Sequence, residues 1–155
     1  MPKQKIEVKG LSKTFYMDGK RLPTLEEVNL TVYEREFVSI LGPSGCGKST
    51  FFNILAGITK RDSGVIIYEG KRVEDLRGMV AYMQQKDLLL PWRNILSNAI
   101  LGPEIEGKDR KWALEKARKL LYQFGLGGFE RRYPQELSGG MRQRAALVRT
   151  LLLEK

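Results

Sequence analysis

Gly42-Pro43-Ser44-Gly45-Cys46-Gly47-Lys48-Ser49-Thr50 is the stretch whose reading decides this chain. It follows the apolar run Phe37-Val38-Ser39-Ile40-Leu41 and leads into Phe51-Phe52-Asn53-Ile54-Leu55-Ala56. The order is strand, glycine loop, helix, with the G-x-x-x-x-G-K-[ST] spacing of a phosphate-binding P-loop. Gly42, Gly45 and Gly47 can take backbone angles that a side chain forbids, so successive N–H groups can turn inward around a polyphosphate. The helix starting near Lys48 aims its unpaired N–H groups and positive dipole end at the same anion. In that arrangement Lys48 reaches the β- and γ-phosphates and the Ser49 hydroxyl ligates Mg²⁺. Thr50 adds a hydroxyl on the α-phosphate side, and Pro43, Ser44 and Cys46 complete the loop. An ordinary glycine-rich turn is the bland alternative, and the complete pattern in this context argues against it. The expected ligand is a nucleoside triphosphate, and Mg-bound nucleotide is expected to slow alkylation of Cys46.

Working outward, 155 residues allow one domain or part of one. The apolar fraction of 42% and charged fraction of 29% are those of a globular protein, which excludes a disordered chain. Lys and Arg number 27 against 18 Asp and Glu, a net charge of +9 that suits phosphate ligands, nucleic acid or an anionic surface. The basic residues are scattered rather than blocked, so most read as solvated faces. Cys46 is the only cysteine, which excludes an internal disulfide and fits a reducing compartment. There is no histidine. Residues 1–10 carry no signal-peptide core, and no apolar run has the length to span a bilayer. A cytoplasmic location is expected.

Alternating apolar positions predict strands over residues 5–11 and 25–33, pairing with each other, with a polar, aromatic-bearing loop over 13–21. Glu34-Arg35-Glu36 reads as a tight turn into the strand at 37–41. Residues 65–68 read as a short strand, Glu69-Gly70 as a turn and 71–73 as its continuation. Residues 78–83 read as a further buried strand leading into Gln84-Gln85. From 87 to 102 comes an apolar loop and short helix that includes Leu88-Leu89-Leu90-Pro91-Trp92. Asp109 opens an amphipathic helix with Ala113, Ala117, Leu120, Leu121 and Phe124 on one face, stopped by Gly125, Gly127 and Gly128. Met141, Ala145, Val148 and Leu152 trace the apolar face of a last helix.

Leu137-Ser138-Gly139-Gly140-Met141-Arg142-Gln143-Arg144, downstream of a full P-loop, resembles the signature motif of ABC-type ATPases. An N-capped helix would use Ser138 only to satisfy its first turn. The resemblance implies more: Ser138 and the N–H groups of Gly139 and Gly140 form a second anion site, closing over ATP held by a second ABC ATPase subunit. Two subunits, identical or different, would then sandwich two nucleotides head to tail. Gln85 matches the Q-loop glutamine, a catalytic position that touches Mg²⁺ or the attacking water, with Gln84 adjacent as the alternative. Phe15 matches the aromatic that stacks on adenine, with Tyr16 as its rival. The segment Gln85-Lys86-Asp87-Leu88-Leu89-Leu90-Pro91-Trp92 is similar to ATPase subunits of importers for nitrate, sulfonates and taurine, although an ordinary apolar loop covering the core would also fit.

What the resemblance implies is an α/β fold, the P-loop NTPase core of an ABC ATPase. Its parts would be an antiparallel β subdomain, a parallel sheet with helices and a helical signature subdomain, divided here as 1–85 and 86–155. The implied function is ATP binding and hydrolysis that drives a small solute through a transmembrane permease, with an extracytoplasmic solute-binding protein acting indirectly. The subunit would lie on the inner face of the cell membrane, and ATP and Mg²⁺ are the implied cofactors. The chain departs from the family pattern by ending at Lys155, before the expected Walker B strand, its carboxylates and the switch histidine. It therefore reads as a fragment that hydrolyses ATP poorly alone, with the edge beside the P-loop strand unprotected. Two other readings stay in view: a soluble ABC ATPase acting on nucleic acid or ribosomes, which Leu90-Pro91-Trp92 disfavours, and a module that binds nucleotide without turnover.

Overall fold

The computed structural model describes residues 2–155. The chain divides into two compact units, Met1–Val80 and Ala81–Lys155.

The first unit is a four-stranded antiparallel sheet in the order β2-β1-β3-β4 with one helix. Strands β1 (Gln4–Met17) and β2 (Lys20–Tyr33) form a long hairpin. Its two-residue turn is Asp18-Gly19, with φ of 51° and 73°, a turn whose handedness matches the twist of the strands. The loop expected over 13–21 is thus the tip of this hairpin: Phe15 pairs with Leu22 and Met17 with Lys20. The Asp-Gly signal outweighs the polar composition. Strand β3 (Ser63–Tyr68) pairs antiparallel with the other edge of β1, matching Val8 to Ile66. Strand β4 (Lys71–Val73) returns along β3 through a Glu69-Gly70 turn, so residues 71–73 are a return strand rather than a continuation of β3.

Helix α1 (Lys48–Leu55) buries Phe51, Ile54 and Leu55. They join Val8, Leu11, Leu25, Ile66 and Leu76 in the core of the unit. At Gly64, with φ of 97°, an added Cβ would stand 2.7 Å from both the Gly10 carbonyl oxygen and Leu11 Cα. That glycine allows β3 to lie tightly against β1.

Residues 37–41 and 78–83, expected as parallel strands, form no ladder. Phe37 and Leu41 are 94% and 89% exposed. Apolar sequence alone does not make a strand, which needs a paired neighbour along its length; the Met79 and Val80 N–H groups instead turn back to the Leu76 carbonyl, at 3.0 and 3.2 Å.

The second unit is helical: α2 (Ile95–Ala99), α3 (Leu101–Ile105), α4 (Arg110–Gln123) and α5 (Gly139–Leu151), with a 3-10 turn at Pro134–Glu136. Asp109 caps α4 as its sequence predicts, accepting from the Trp112 N–H at 2.7 Å. Gly125, at φ of 68°, ends that helix, and the Leu126 N–H turns back to the Leu121 carbonyl at 2.7 Å. Ala113, Ala117 and Leu121 of α4 pack with Ala145, Val148 and Leu152 in one core, with Leu120, Phe124 and Met141 partly buried against it.

Candidate functional site

The P-loop closes onto α1 through two left-handed glycines, Gly45 at φ 82° and Gly47 at φ 91°. Gly47 is the N-cap of α1, and its carbonyl accepts the first helical bond, from Phe51 N at 2.9 Å. It also docks against β2: an added Cβ would meet the Thr24 carbonyl oxygen at 2.6 Å and Leu25 Cδ2 at 2.9 Å. Only glycine satisfies both the angle and the approach.

Lys48 curls back over the loop. Its Nζ donates to the carbonyls of Gly42 and Pro43, each at 2.7 Å, and approaches Cys46 Sγ at 3.3 Å. Gly42 is held close, since a Cβ there would lie 2.8 Å from Cys46 Sγ. Gly42, Pro43, Ser44, Gly45, Cys46 and Ser49 are exposed, while Lys48 and Thr50 are half-buried. The donor set fits a polyphosphate: an ammonium held on the loop carbonyls, a glycine-rich loop and the free N–H groups of the first turn of α1. Ser49, exposed in that turn, has a hydroxyl of the kind that ligates Mg²⁺. Among the described residues no three carboxylate, thiol or imidazole groups cluster to hold a metal unaided.

Phe15 lies on β1, 38% exposed, with Lys13 Nζ 5.4 Å from its ring centre. Its partner in β2 is Leu22, close to the Thr24-Leu25 pair on which Gly47 rests. Tyr16 is 71% exposed, and the alternation of a strand places it on the opposite face.

Ser138 is the N-cap of α5, its Oγ accepting from Met141 N at 3.4 Å, with Gly139 and Gly140 in the exposed first turn. Gln85 belongs to the same helical unit; its side chain is exposed and its carbonyl accepts from Gln143 Nε2 at 3.0 Å. The structure thus groups the nine P-loop residues with Phe15 in one unit, and Gln85 with Ser138, Gly139 and Gly140 in the other.

The sequence reading missed two supports of the second group. Asn98 is fully buried and holds the Leu-Pro-Trp loop: its Oδ1 accepts from Leu90 N at 2.7 Å, and its Nδ2 donates to the carbonyls of Arg93 at 2.8 Å and of Leu90 and Asn94 at 3.1 Å. Trp92, presented by that loop, is 72% exposed. The available signal was an amide at the i+3 position from Ile95, inside an apolar run. The other support is a set of α5 side chains that grip residues 85–88. Arg142 Nε bonds Asp87 Oδ2 at 3.1 Å, and Arg149 donates to the carbonyls of Asp87 at 2.6 Å and Leu88 at 2.7 Å. Burial pulls the Arg149 pKa down, and Asp87 opposes that shift.

A P-loop on a β-sheet unit and a signature turn on a helical unit define the nucleotide-binding cassette of ABC ATPases. Residues 25–155 match the ABC transporter family, and the chain belongs to it. It is 42% identical to the uncharacterised ABC transporter ATP-binding protein MJ0412 of Methanocaldococcus jannaschii, over 96% of this chain and 56% of that protein. It is 46% identical to the formylaminopyrimidine import ATP-binding protein ThiZ of Halalkalibacterium halodurans, over 84% of this chain and 50% of that one. With the taurine import ATP-binding protein TauB of Escherichia coli it shares 41% identity over 88% of this chain and 53% of that one. The chain spans about half the length of these curated relatives. Among solved structures it superposes on a dimeric ABC cassette, MJ0796 bound to ADP and Pi, with a TM-score of 0.86 and 31% identity, covering 96% of this chain and 70% of that one.

Proposed function

We propose that this chain belongs to the ATP-binding subunit of an ABC importer that couples ATP binding and hydrolysis to passage of a small solute through a membrane permease. The observation that carries the reading is the loop itself: two left-handed glycines, one of them capping α1, under a lysine whose ammonium hangs on the loop carbonyls. Lys48 would release those carbonyls and set its charge against the β- and γ-phosphates, while the N–H groups at the start of α1 hold the same anion. Ser49 would hold Mg²⁺, which supplies positive charge to the transferring phosphoryl group, and Gln85 would reach the metal or the attacking water.

Phe15 is the proposed adenine platform, since it lies near the strand pair that seats Gly47. Ser138, Gly139 and Gly140 would face the nucleotide of a second cassette, a reading supported by likeness to a dimeric cassette. Importer function is supported by likeness to ThiZ and TauB, whose names state import of formylaminopyrimidine and of taurine. A nitrate-, sulfonate- or taurine-like cargo is the corresponding proposal. No helix among the described residues is long and apolar enough to cross a membrane. The likeness to import ATP-binding proteins supports a proposed place at the inner membrane face, against a permease served by a solute-binding protein. Alone, the 155 residues are proposed to bind ATP and turn it over slowly.

Equilibrium binding of a fluorescent ATP analogue with Mg²⁺ tests this. Binding that vanishes in Lys48→Ala and survives in Ser138→Ala supports the assignment. Binding unchanged by Lys48→Ala refutes it.

A further inference from the structure

Residues 85–88 have no regular structure of their own, yet they are fastened at successive points to one helix. Gln143 takes the Gln85 carbonyl, Arg142 the Asp87 carboxylate, and Arg149 the carbonyls of Asp87 and Leu88. Arg142 and Arg149 are seven residues apart, two helical turns, so both project from the same face of α5. Leu88 sits at φ of 46°, a left-handed angle rare for a leucine. The Arg149 guanidinium on its carbonyl opposes relaxation of that angle. Within the segment itself the local tie is Leu89 N to Asp87 Oδ1, at 3.2 Å. The same helix carries Ser138 as its N-cap.

We propose that Arg149, together with Arg142 and Gln143, is a positioning residue that locks the Gln85 segment to α5, so that Gln85 and the Ser138-Gly139-Gly140 turn move as one rigid body. This rests on the roles given above to Gln85 and Ser138. Arg149 touches neither nucleotide nor metal. It acts through the backbone of Asp87 and Leu88, so that a displacement of the Gln85 segment is carried to the Ser138 turn through α5.

The test uses the full-length protein with Arg149→Met, which keeps an unbranched apolar stem and removes the guanidinium donors, and Arg149→Lys, which keeps the charge. Amide hydrogen exchange at residues 86–89 should rise about tenfold or more in the Met variant, while the buried α4 amides stay as they are. ATP affinity should stay within about twofold, kcat should fall about tenfold with KM kept, and Lys should recover part of the loss. If the Met variant does not fold, Gln143→Ala removes only the tie to the Gln85 carbonyl, and faster exchange at Lys86 with the same kcat-only loss is then expected. Unchanged exchange at 86–89, or kcat and ATP affinity falling together, overturns the proposal. Lys48→Ala, run in parallel, judges the nucleotide reading separately: if that variant still binds ATP, the reading falls while the exchange data still decide whether α5 holds the segment.

Discussion

Replacing Asn98 should destabilise the helical unit more than any change to its surface. The side chain is fully buried and shares two amide hydrogens among three carbonyls while its oxygen takes the Leu90 N–H. Asn98→Ala strands these groups beneath the loop at 90–94 and opens a small void. One stranded buried group costs about 1–3 kcal/mol. Leu90 and Arg93 are only half-buried and can recover some bonds from water, so the net loss is about 2–4 kcal/mol. Asn98→Asp keeps the acceptor for Leu90 N–H but turns a carboxylate oxygen toward three carbonyls, and at neutral pH it should be worse than alanine.

The sign with pH follows. Burial against carbonyls raises the introduced carboxyl's folded pKa above its unfolded value, so the penalty is present at high pH and shrinks as pH falls through the folded value. Both tryptophans, Trp92 and Trp112, lie in this unit, so indole fluorescence during urea unfolding reports on it. With a slope of about 1–2 kcal/mol per molar, the Asn98→Ala midpoint should drop by about 1–4 M. A drop equivalent to less than about 1 kcal/mol would refute the argument that these bonds hold the loop. So would an Asn98→Asp variant no weaker than Asn98→Ala at pH 7.

Gly64→Ala should cost about 2–5 kcal/mol, because its Cβ would strike Gly10 and Leu11 backbone at a left-handed φ. Gly70→Ala, also left-handed but with open space around it, should cost only about 1 kcal/mol, and amide exchange in β1 and β3 compares the two. The Asp62 carboxylate takes the Lys13 ammonium and the Thr14 N–H, each at 2.7 Å, and these bonds, Lys13 foremost, hold its pKa below the usual carboxylate value. Its stabilisation is therefore full above that usual value and lost as pH falls through the folded one, so Asp62→Asn should flatten the acid limb of far-UV stability curves below about pH 4. An acid limb as steep as wild type would contradict this. Ser138→Ala should cost α5 about 0.5–1 kcal/mol, the low end for a cap whose bond is 3.4 Å long, as read by urea unfolding. Mg-ATP should slow alkylation of the exposed Cys46, and equal rates with and without nucleotide would count against a formed pocket.

Local chemistry was legible in the residues wherever it is self-contained. The phosphate loop, the caps at Asp109 and Ser138, the glycine stop after α4 and the apolar faces of α4 and α5 each depend on neighbours within a few positions, so spacing alone announces them. The hairpin tip at Asp18-Gly19 was also written locally, but it was read as a loop because polar and aromatic composition was weighed above the two-residue turn.

Tertiary structure decided the rest. Residues 37–41 and 78–83 have strand composition without strand structure, because a ladder is a property of two chain segments and is not written in either one alone. Gln85 is an ordinary glutamine until α5 folds back and ties its backbone through Gln143, with Arg142 and Arg149 gripping the residues that follow. Asn98 looks like a stray amide in an apolar run until burial converts its four bonds into the support of a loop. The residues alone carry the pattern on which the proposed phosphate recognition rests, since such a loop is built from backbone N–H groups and one lysine at fixed spacing. Which side chains hold the site in position was settled only by contacts between residues far apart in the chain, whose energies depend on burial that no local pattern encodes.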